Sequence, residues 1–143
     1  MEKIKSFSKF NEGIEFRNFS EKSHHLVRHM GELKRYIESG ANVDEEGGSL
    51  LRQSVLYTLE TGDQTPTKYL IESGADVTIR SFILYKWISQ HGNVDLLKYF
   101  FTLTDLNHDT LSDIIYWCET SDKIDDSSKK EMISLINKKI SEL

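Results

Sequence analysis

Three histidines near the start of the chain are the residues best suited to bind a metal ion. His25 and His29 are one helical turn apart, a spacing that lets two imidazoles share one ion, and His24 lies beside them. Two histidines supply only two ligands, and no cysteine or carboxylate has a matching position on the same helix. We therefore expect no metal and no other cofactor. His25 is predicted to hydrogen-bond between neighbouring units, and the other two histidines to be exposed.

Cys118 is the only cysteine and therefore the one candidate for a thiol nucleophile. His91 or His108 offers a base, but the local sequence has no motif that would build an oxyanion hole. Free cysteine is among the residues most often buried, so we predict that Cys118 packs in the core and that the protein is not an enzyme. A single cysteine also excludes an intrachain disulfide, which favours a cytoplasmic location.

The balance of charge argues against direct binding to nucleic acid. The chain has 143 residues, of which 18 are basic and 23 acidic, and its lysines and arginines are scattered among acids. Affinity for a phosphate backbone needs clustered cations. Asp44, Glu45 and Glu46 leave an alternative open, in which the protein mimics a polyanion. The first ten residues have no apolar run long enough for a signal sequence or a membrane span, so we expect no membrane association.

Large side chains recur when the helices are aligned on the residues predicted to end them. Counting back five residues from three glycines and from Asp122 gives one large side chain in each of four helices: Leu26, Tyr57, Trp87 and Trp117. Partly exposed aromatic rings suit the binding of a protein, because one ring contributes about 2 kcal/mol or more when it is buried at the centre of an interface. The alternative is that these side chains only fill the space between helices.

Further residues extend this row of large side chains into a predicted partner-binding surface. Beside the row the sequence places His29, Met30, Glu60, Gln90 and His91. The turns between helical units add Asp44, Glu45, Glu46 and Arg80.

The elements that position these residues repeat along the chain. Residues 36–43 and 70–77 have nearly the same sequence, and Gly40 and Gly74 are 34 residues apart. A repeat of this length is typical of solenoids built from helical pairs. We predict a single domain with an N-terminal cap, which contains a helix and an extended segment, followed by four units, the last of which includes a C-terminal cap. The predicted boundaries are 1–19 for the cap and 20–48, 49–80, 81–109 and 110–143 for the units.

Glycine and proline mark the predicted helix ends. The second helices of two units are predicted to end at Gly40 and Gly74, which suit a left-handed residue. The first helices are predicted to end at another set of glycines: Gly31, Gly62 and Gly92. Pro66 is expected in a first helical turn, where its missing N–H has no partner to lose. The third unit lacks the final glycine, so Asn107 or His108 is expected to be left-handed there.

Three segments of the chain, residues 33–43, 67–77 and 87–100, resemble the ankyrin-repeat family. The first two are similar to the second helix of that repeat and its Gly-Ala-Asp-Val ending, and the third is similar to a whole helix-turn-helix. The resemblance covers about residues 20–143, although only His25 preserves a residue of the usual Thr-Pro-Leu-His opening. It implies an all-α solenoid of about four helix-turn-helix units, whose concave face would carry the row of large side chains.

The function that this resemblance implies is non-enzymatic. It is a module that binds a partner protein through its concave face and projecting turns, as a monomer or weak homo-oligomer. The repeats are similar to divergent repeats of large viruses, phages and intracellular bacteria, which implies a counter-defence or host-targeting inhibitor in the host cytoplasm. The charge leaves one alternative open, an acidic inhibitor that occupies a nucleic-acid-binding site on its target.

Overall fold

The structure is a computed structural model that describes residues 16–143, and the regular structure within that range is eight α-helices and no β-strand. The all-α prediction is confirmed. The N-terminal cap predicted at 1–19 lies outside the described residues except at its end, where Phe19 already begins a helix. The helices are α1 (Phe19–Leu26), α2 (Met30–Glu38), α3 (Glu45–Thr61), α4 (Thr65–Glu72), α5 (Ile79–His91), α6 (Val94–Phe101), α7 (His108–Glu119) and α8 (Asp126–Ser141).

The helices belong to two compact units. The first unit ends at Asp76 and contains α1 to α4, and the second is Val77–Leu143 and contains α5 to α8. Within each unit the helices follow one another in two pairs, and each unit has its own apolar core. The single domain expected from the sequence stays a prediction.

In the first unit, α1 packs on α2 and α3, and α3 packs on α4. Apolar residues three or four positions apart bring one face of each helix into the core. The buried apolar side chains of these helices are Leu26, Leu33, Tyr36, Leu50, Leu51, Val55 and Leu70.

Three buried hydroxyl groups join α3 to α4. Thr67 Oγ1 donates to Ser54 Oγ at 3.0 Å. Thr58 Oγ1 lies 3.0 Å from Thr67 Oγ1 and 2.9 Å from the carbonyl oxygen of Asp63. All three side chains are fully buried, so these hydrogen bonds replace the ones that the hydroxyls would make with water. The core of the first unit therefore accommodates polar residues without leaving them unsatisfied.

In the second unit, α5 packs on α6 and α7, and α8 packs on both α7 and α6. Tyr85 lies in this core, where its hydroxyl donates to the carbonyl oxygen of Phe100 at 3.1 Å and burial raises its pKa above the ordinary value. The other buried apolar side chains of these helices are Leu84, Ile88, Leu96, Leu97, Phe100, Phe101, Leu111, Ile114, Cys118, Met132 and Ile136.

The helix ends agree with the sequence at five positions and disagree at two. Gly40 (φ +96°) and Gly74 (φ +100°) are left-handed, Gly62 and Gly92 end α3 and α5, and Pro66 lies in the first turn of α4, all as predicted. The prediction of a left-handed residue at 107 or 108 is wrong. Asn107 has φ −83° and caps α7, because its side chain accepts a hydrogen bond from the Thr110 N–H at 2.8 Å.

The second disagreement is at Gly31, which was predicted to end the first helix. In the structure α1 already ends at Leu26, and Gly31 is the second residue of α2. The 34-residue period that relates Gly40 to Gly74 relates Arg28, not Gly31, to Gly62. In the first pair, the turn at residues 27–29 therefore takes the place of Gly62, and an alignment on Gly31 is three residues out of register.

Two left-handed turns occur at the beginning of α3 and α5, at residues 46–48 and 80–82. These residues are 34 apart, so the turns follow the same period as Gly40 and Gly74. Their φ angles are 54° at Glu46, 63° at Gly47, 75° at Gly48, 48° at Arg80, 54° at Ser81 and 65° at Phe82. A residue with a Cβ atom pays a steric cost in this conformation, about 1–2 kcal/mol each. The turn at 80–82 has no glycine and carries the larger cost.

Candidate partner-binding surfaces

An arginine and a tyrosine form the centre of the candidate surface in the first unit. The Arg28 guanidinium lies 5.2 Å from the centroid of the Tyr57 ring. Its Nη1 donates to the carbonyl oxygen of His24 at 2.9 Å, and its Nη2 donates to Glu60 at 3.4 Å. The Tyr57 hydroxyl donates to Asp63 Oδ2 at 3.3 Å. Tyr57 is half-buried and Glu60 exposed, so a fixed cation, an aromatic ring and two carboxylates face solvent together.

Leu26, the first member of the predicted row of large side chains, is not on this surface. Its side chain is fully buried in the core of the first unit. The error follows from the alignment on Gly31, because the 34-residue period places Ser23 at the position of Tyr57 and Leu26 at that of Glu60. Ser23 is also buried, with its hydroxyl 2.9 Å from that of Ser49. The first helix pair therefore contributes Arg28 to the candidate surface and no large apolar side chain from this row.

His29 and Met30, also predicted for the surface, lie where α1 turns into α2. His29 is exposed at the N-cap position of α2, and its Nδ1 is 2.8 Å from the carbonyl oxygen of His25. Met30 is half-buried and begins α2. The prediction that His25 bonds to a neighbouring unit is wrong, since its Nε2 donates to the carboxylate of Glu32 on α2.

In the second unit the candidate surface lies where α5 packs beside α7. Lys86 of α5 reaches across so that its Nζ is 5.9 Å from the centroid of the Trp117 ring on α7. Trp87 and Trp117 are both half-buried. The neighbouring Tyr116 is 63% exposed, more than any other phenylalanine, tyrosine or tryptophan among the described residues. It is not part of the row of large side chains predicted from the sequence.

Gln90 and His91 lie at the end of α5. The carbonyl oxygen of Gln90 accepts a hydrogen bond from the Ser121 hydroxyl at 2.5 Å, which ties the end of α5 to the end of α7. His91 is exposed, with its Nδ1 2.9 Å from the carbonyl oxygen of Trp87. The imidazole is thereby held next to the backbone of Trp87.

The three carboxylates of residues 44–46 differ in their exposure and their partners, and they do not all project into solvent. Asp44 Oδ1 accepts the Asp76 N–H at 2.9 Å, and Glu45 Oε1 accepts the Tyr36 hydroxyl at 3.2 Å. Burial, followed by the nearby charge of Glu45, raises the pKa of Tyr36 above its ordinary value. Only Glu46 has an exposed side chain, and its carbonyl oxygen accepts a hydrogen bond from Arg52 at 3.1 Å. Two of the three acids therefore stabilise the turn itself.

Arg80 occupies the corresponding turn of the second unit, where it is exposed and left-handed. The period of 34 residues places it at the position of Glu46. The two turns thus present opposite charges at equivalent positions, a feature that the sequence alignment did not use.

A shallow cleft between α6 and α8 brings Lys98 together with two lysines that lie about forty residues later in the sequence. Lys98 lies on one side, Lys138 and Lys139 on the other, and Phe101 and Leu135 form an apolar floor. Thr102 and Glu142 complete its lining. The sequence indicated only that α8 has a polar outer face with lysines, and the convergence with Lys98 depends on how α6 packs on α8.

Cys118 is fully buried, as predicted, and its pKa is raised mainly by that burial. A thiol that remains protonated and has no access to solvent is a poor nucleophile. In the part of the chain that the structure describes, none of the helices combines the length and apolar character needed to cross a bilayer.

Comparison with known proteins adds no family to this description. No protein-family model, no curated protein and no solved structure matches the chain.

Proposed function

We propose that the chain is a divergent helical-repeat protein of the ankyrin type, a solenoid of about four helix-turn-helix units. Two features at a spacing of 34 residues support this. Gly40 and Gly74 are left-handed residues after equivalent helices, and the left-handed turns at residues 46–48 and 80–82 begin equivalent helices. A period that recurs in the backbone conformation, and not only in the amino-acid types, is what a structural repeat requires.

We further propose that the protein is not an enzyme and that it binds a partner protein through the first helix of successive pairs. The observation that carries this proposal is that a cation lies over a half-buried aromatic ring in each unit: Arg28 over Tyr57, and Lys86 over Trp117. Tyrosine, tryptophan and arginine are the residues that most often dominate protein interfaces, because each buries a large area with few rotatable bonds. The cation holds the ring in place before a partner arrives, which reduces the entropy lost on binding.

The test is to identify a partner by affinity capture with the full chain and then to measure its Kd with purified variants. We expect Tyr57→Ala and Trp117→Ala each to weaken binding by about 2 kcal/mol, or roughly 30-fold in Kd, without loss of helical content by circular dichroism. Tyr69→Ala is the matched control, since Tyr69 is also half-buried and has the Lys34 Nζ 6.0 Å from its ring centroid, but it lies on α4, outside the candidate surface. Unchanged affinity in the first two variants would sink the proposal.

The acidic-inhibitor alternative has less support. Its three carboxylates at residues 44–46 include two that accept hydrogen bonds inside the unit. If it were correct, the Kd would depend steeply on salt and Glu46→Gln would weaken that dependence, while Tyr57→Ala would have little effect. A counter-defence or host-targeting role in a host cytoplasm stays a prediction from the family resemblance.

A further inference from the structure

Two histidines and a glutamate converge where α1 turns into α2. His25 and His29 come from the end of α1 and the turn after it, and Glu32 lies in the first turn of α2. Their ligand atoms all lie within 4.8 Å of one another. The side chains of His25 and Glu32 are 18% and 21% exposed, and His29 is open to solvent, so an ion could enter from one side while the other two groups are sheltered.

The hydrogen bonds at this cluster prepare two of the three groups to bind an ion. His29 Nδ1–H donates to the carbonyl oxygen of His25 at 2.8 Å, which leaves the lone pair of Nε2 available. Such a bond from the second ring nitrogen to a backbone carbonyl is how metal-binding histidines are usually oriented. His25 is held by Phe16, whose ring centroid is 5.3 Å away, and by its contact with Glu32.

The two imidazole rings are stacked, with centroids 4.0 Å apart and planes inclined by 19°. Because the turn after α1 brings the His29 ring beside that of His25, both rings can reach one ion after side-chain rotations. Donors at about 2.0–2.2 Å from a tetrahedral metal lie roughly 3.3 Å from one another, so the present separations differ by side-chain movements and do not call for a new backbone path.

We propose that His25 Nε2, His29 Nε2 and the Glu32 carboxylate form a binding site for one divalent transition metal of the zinc class, with water as the fourth ligand. Imidazole nitrogens with one carboxylate suit zinc, cobalt, nickel and copper far better than magnesium or calcium, which prefer oxygen donors. Metal binding needs the lone pair of His25 Nε2, so the proton that Nε2 donates to Glu32 shifts to Nδ1 of the same ring, which stays neutral. The site is independent of the proposed partner-binding function.

The metal would tie α1 to α2. Because the three ligands belong to two helices and the turn between them, an ion that binds only the folded arrangement stabilises that arrangement by mass action. The expected role is therefore structural, at the first described helix pair.

The experiment titrates chelator-treated full-length protein with Zn²⁺ by isothermal calorimetry, and with Co²⁺ by visible absorption, which reports the coordination geometry. We expect one ion per chain. His29→Ala should weaken binding at least about 10-fold, the lower end of what even outer-shell changes cost at metal sites. Because His29 is exposed, this variant should keep its fold, which circular dichroism verifies. Glu32→Gln, which keeps the shape but removes the charge, should weaken binding as well.

His24→Ala is the matched control, since His24 is exposed on the same helix and its ring is outside the cluster. It should leave the affinity for Zn²⁺ unchanged. The proposal is overturned if wild-type protein binds no Zn²⁺, if His29→Ala binds it as tightly as wild type does, or if His24→Ala loses as much affinity as His29→Ala.

Discussion

The conformation of single glycines determines where α3 and α5, the first helices of the two middle pairs, end. Gly62 (φ +82°) and Gly92 (φ +72°) are left-handed and end α3 and α5. Gly31 lies inside α2, and a Cβ atom added to it would have nothing within 4 Å. Glycine adopts both conformations readily, so its presence in the sequence does not distinguish a helix end from a helix interior.

This difference gives a pair of substitutions with opposite expected effects. Gly31→Ala should raise the free energy of unfolding by about 0.5–1 kcal/mol, because alanine loses less backbone entropy than glycine on entering a helix. Gly62→Ala should lower it by about 1 kcal/mol or more, because alanine would have to adopt the left-handed conformation. Urea denaturation followed by circular dichroism measures both. The reverse order would restore Gly31 as a helix end and with it the alignment that placed Leu26 beside Tyr57.

At the scale of the element, the two left-handed turns show how one backbone conformation is built from different residues. Gly47 and Ser81 occupy equivalent positions, with φ 63° and 54°. Glycine adopts this conformation without strain, whereas serine has a Cβ atom that approaches the following carbonyl oxygen. At the turn that begins α5, a glycine in place of Ser81 would therefore give a more stable chain.

We expect Ser81→Gly to raise the free energy of unfolding by about 0.5–1 kcal/mol, since relief of the left-handed strain exceeds the added entropy of glycine in the unfolded chain. Gly47→Ala should lower it by about 1 kcal/mol, because it introduces the same strain into the other turn. Residues 47 and 81 are both exposed, so a loss of packing does not contribute to the change in unfolding free energy. Thermal and urea unfolding provide the measurement, and a destabilised Ser81→Gly variant would show that these turns are not left-handed.

At the scale of the whole molecule, each unit has an aspartate whose pKa is held below its ordinary value. Hydrogen bonds from the side chain and backbone of Thr65 lower the pKa of Asp63 in the first unit. In the second unit Asp125 is the N-cap of α8, and its Oδ1 accepts the Ser128 N–H at 2.7 Å, which lowers the pKa of Asp125. Both aspartates are bound more tightly as anions in the folded chain than in the unfolded one.

These shifts predict how stability depends on pH. A depressed folded pKa means that the unfolded chain binds more protons, so each aspartate stabilises the fold above its ordinary pKa of about 3.9 and stops doing so as the pH falls through the lower folded value. We expect the urea midpoint to fall as the pH drops below about 5, and Asp63→Asn and Asp125→Asn each to make that fall shallower. Asp105→Asn, at an exposed aspartate outside the helix caps, is the control. Equal slopes in wild type, Asp63→Asn and Asp125→Asn would contradict this account.

The sequence by itself determined the all-α class, the period of 34 residues, and those helix ends that depend on one residue. Gly40, Gly74 and Pro66 are correctly predicted because a left-handed glycine or a first-turn proline acts on its own turn of backbone. The burial of Cys118 follows in the same way from its apolar neighbours one helical turn away.

The tertiary structure alone decided which side chains meet. Glu32 reaches His25 because the turn at residues 27–29 reverses the chain earlier than the sequence predicted, and Lys86 reaches Trp117 because α5 packs on α7. Such contacts depend on turn geometry and helix packing, which many residues set together and no short motif encodes. For this reason the sequence identified two of the three groups proposed to bind a metal, and only the fold supplied the third.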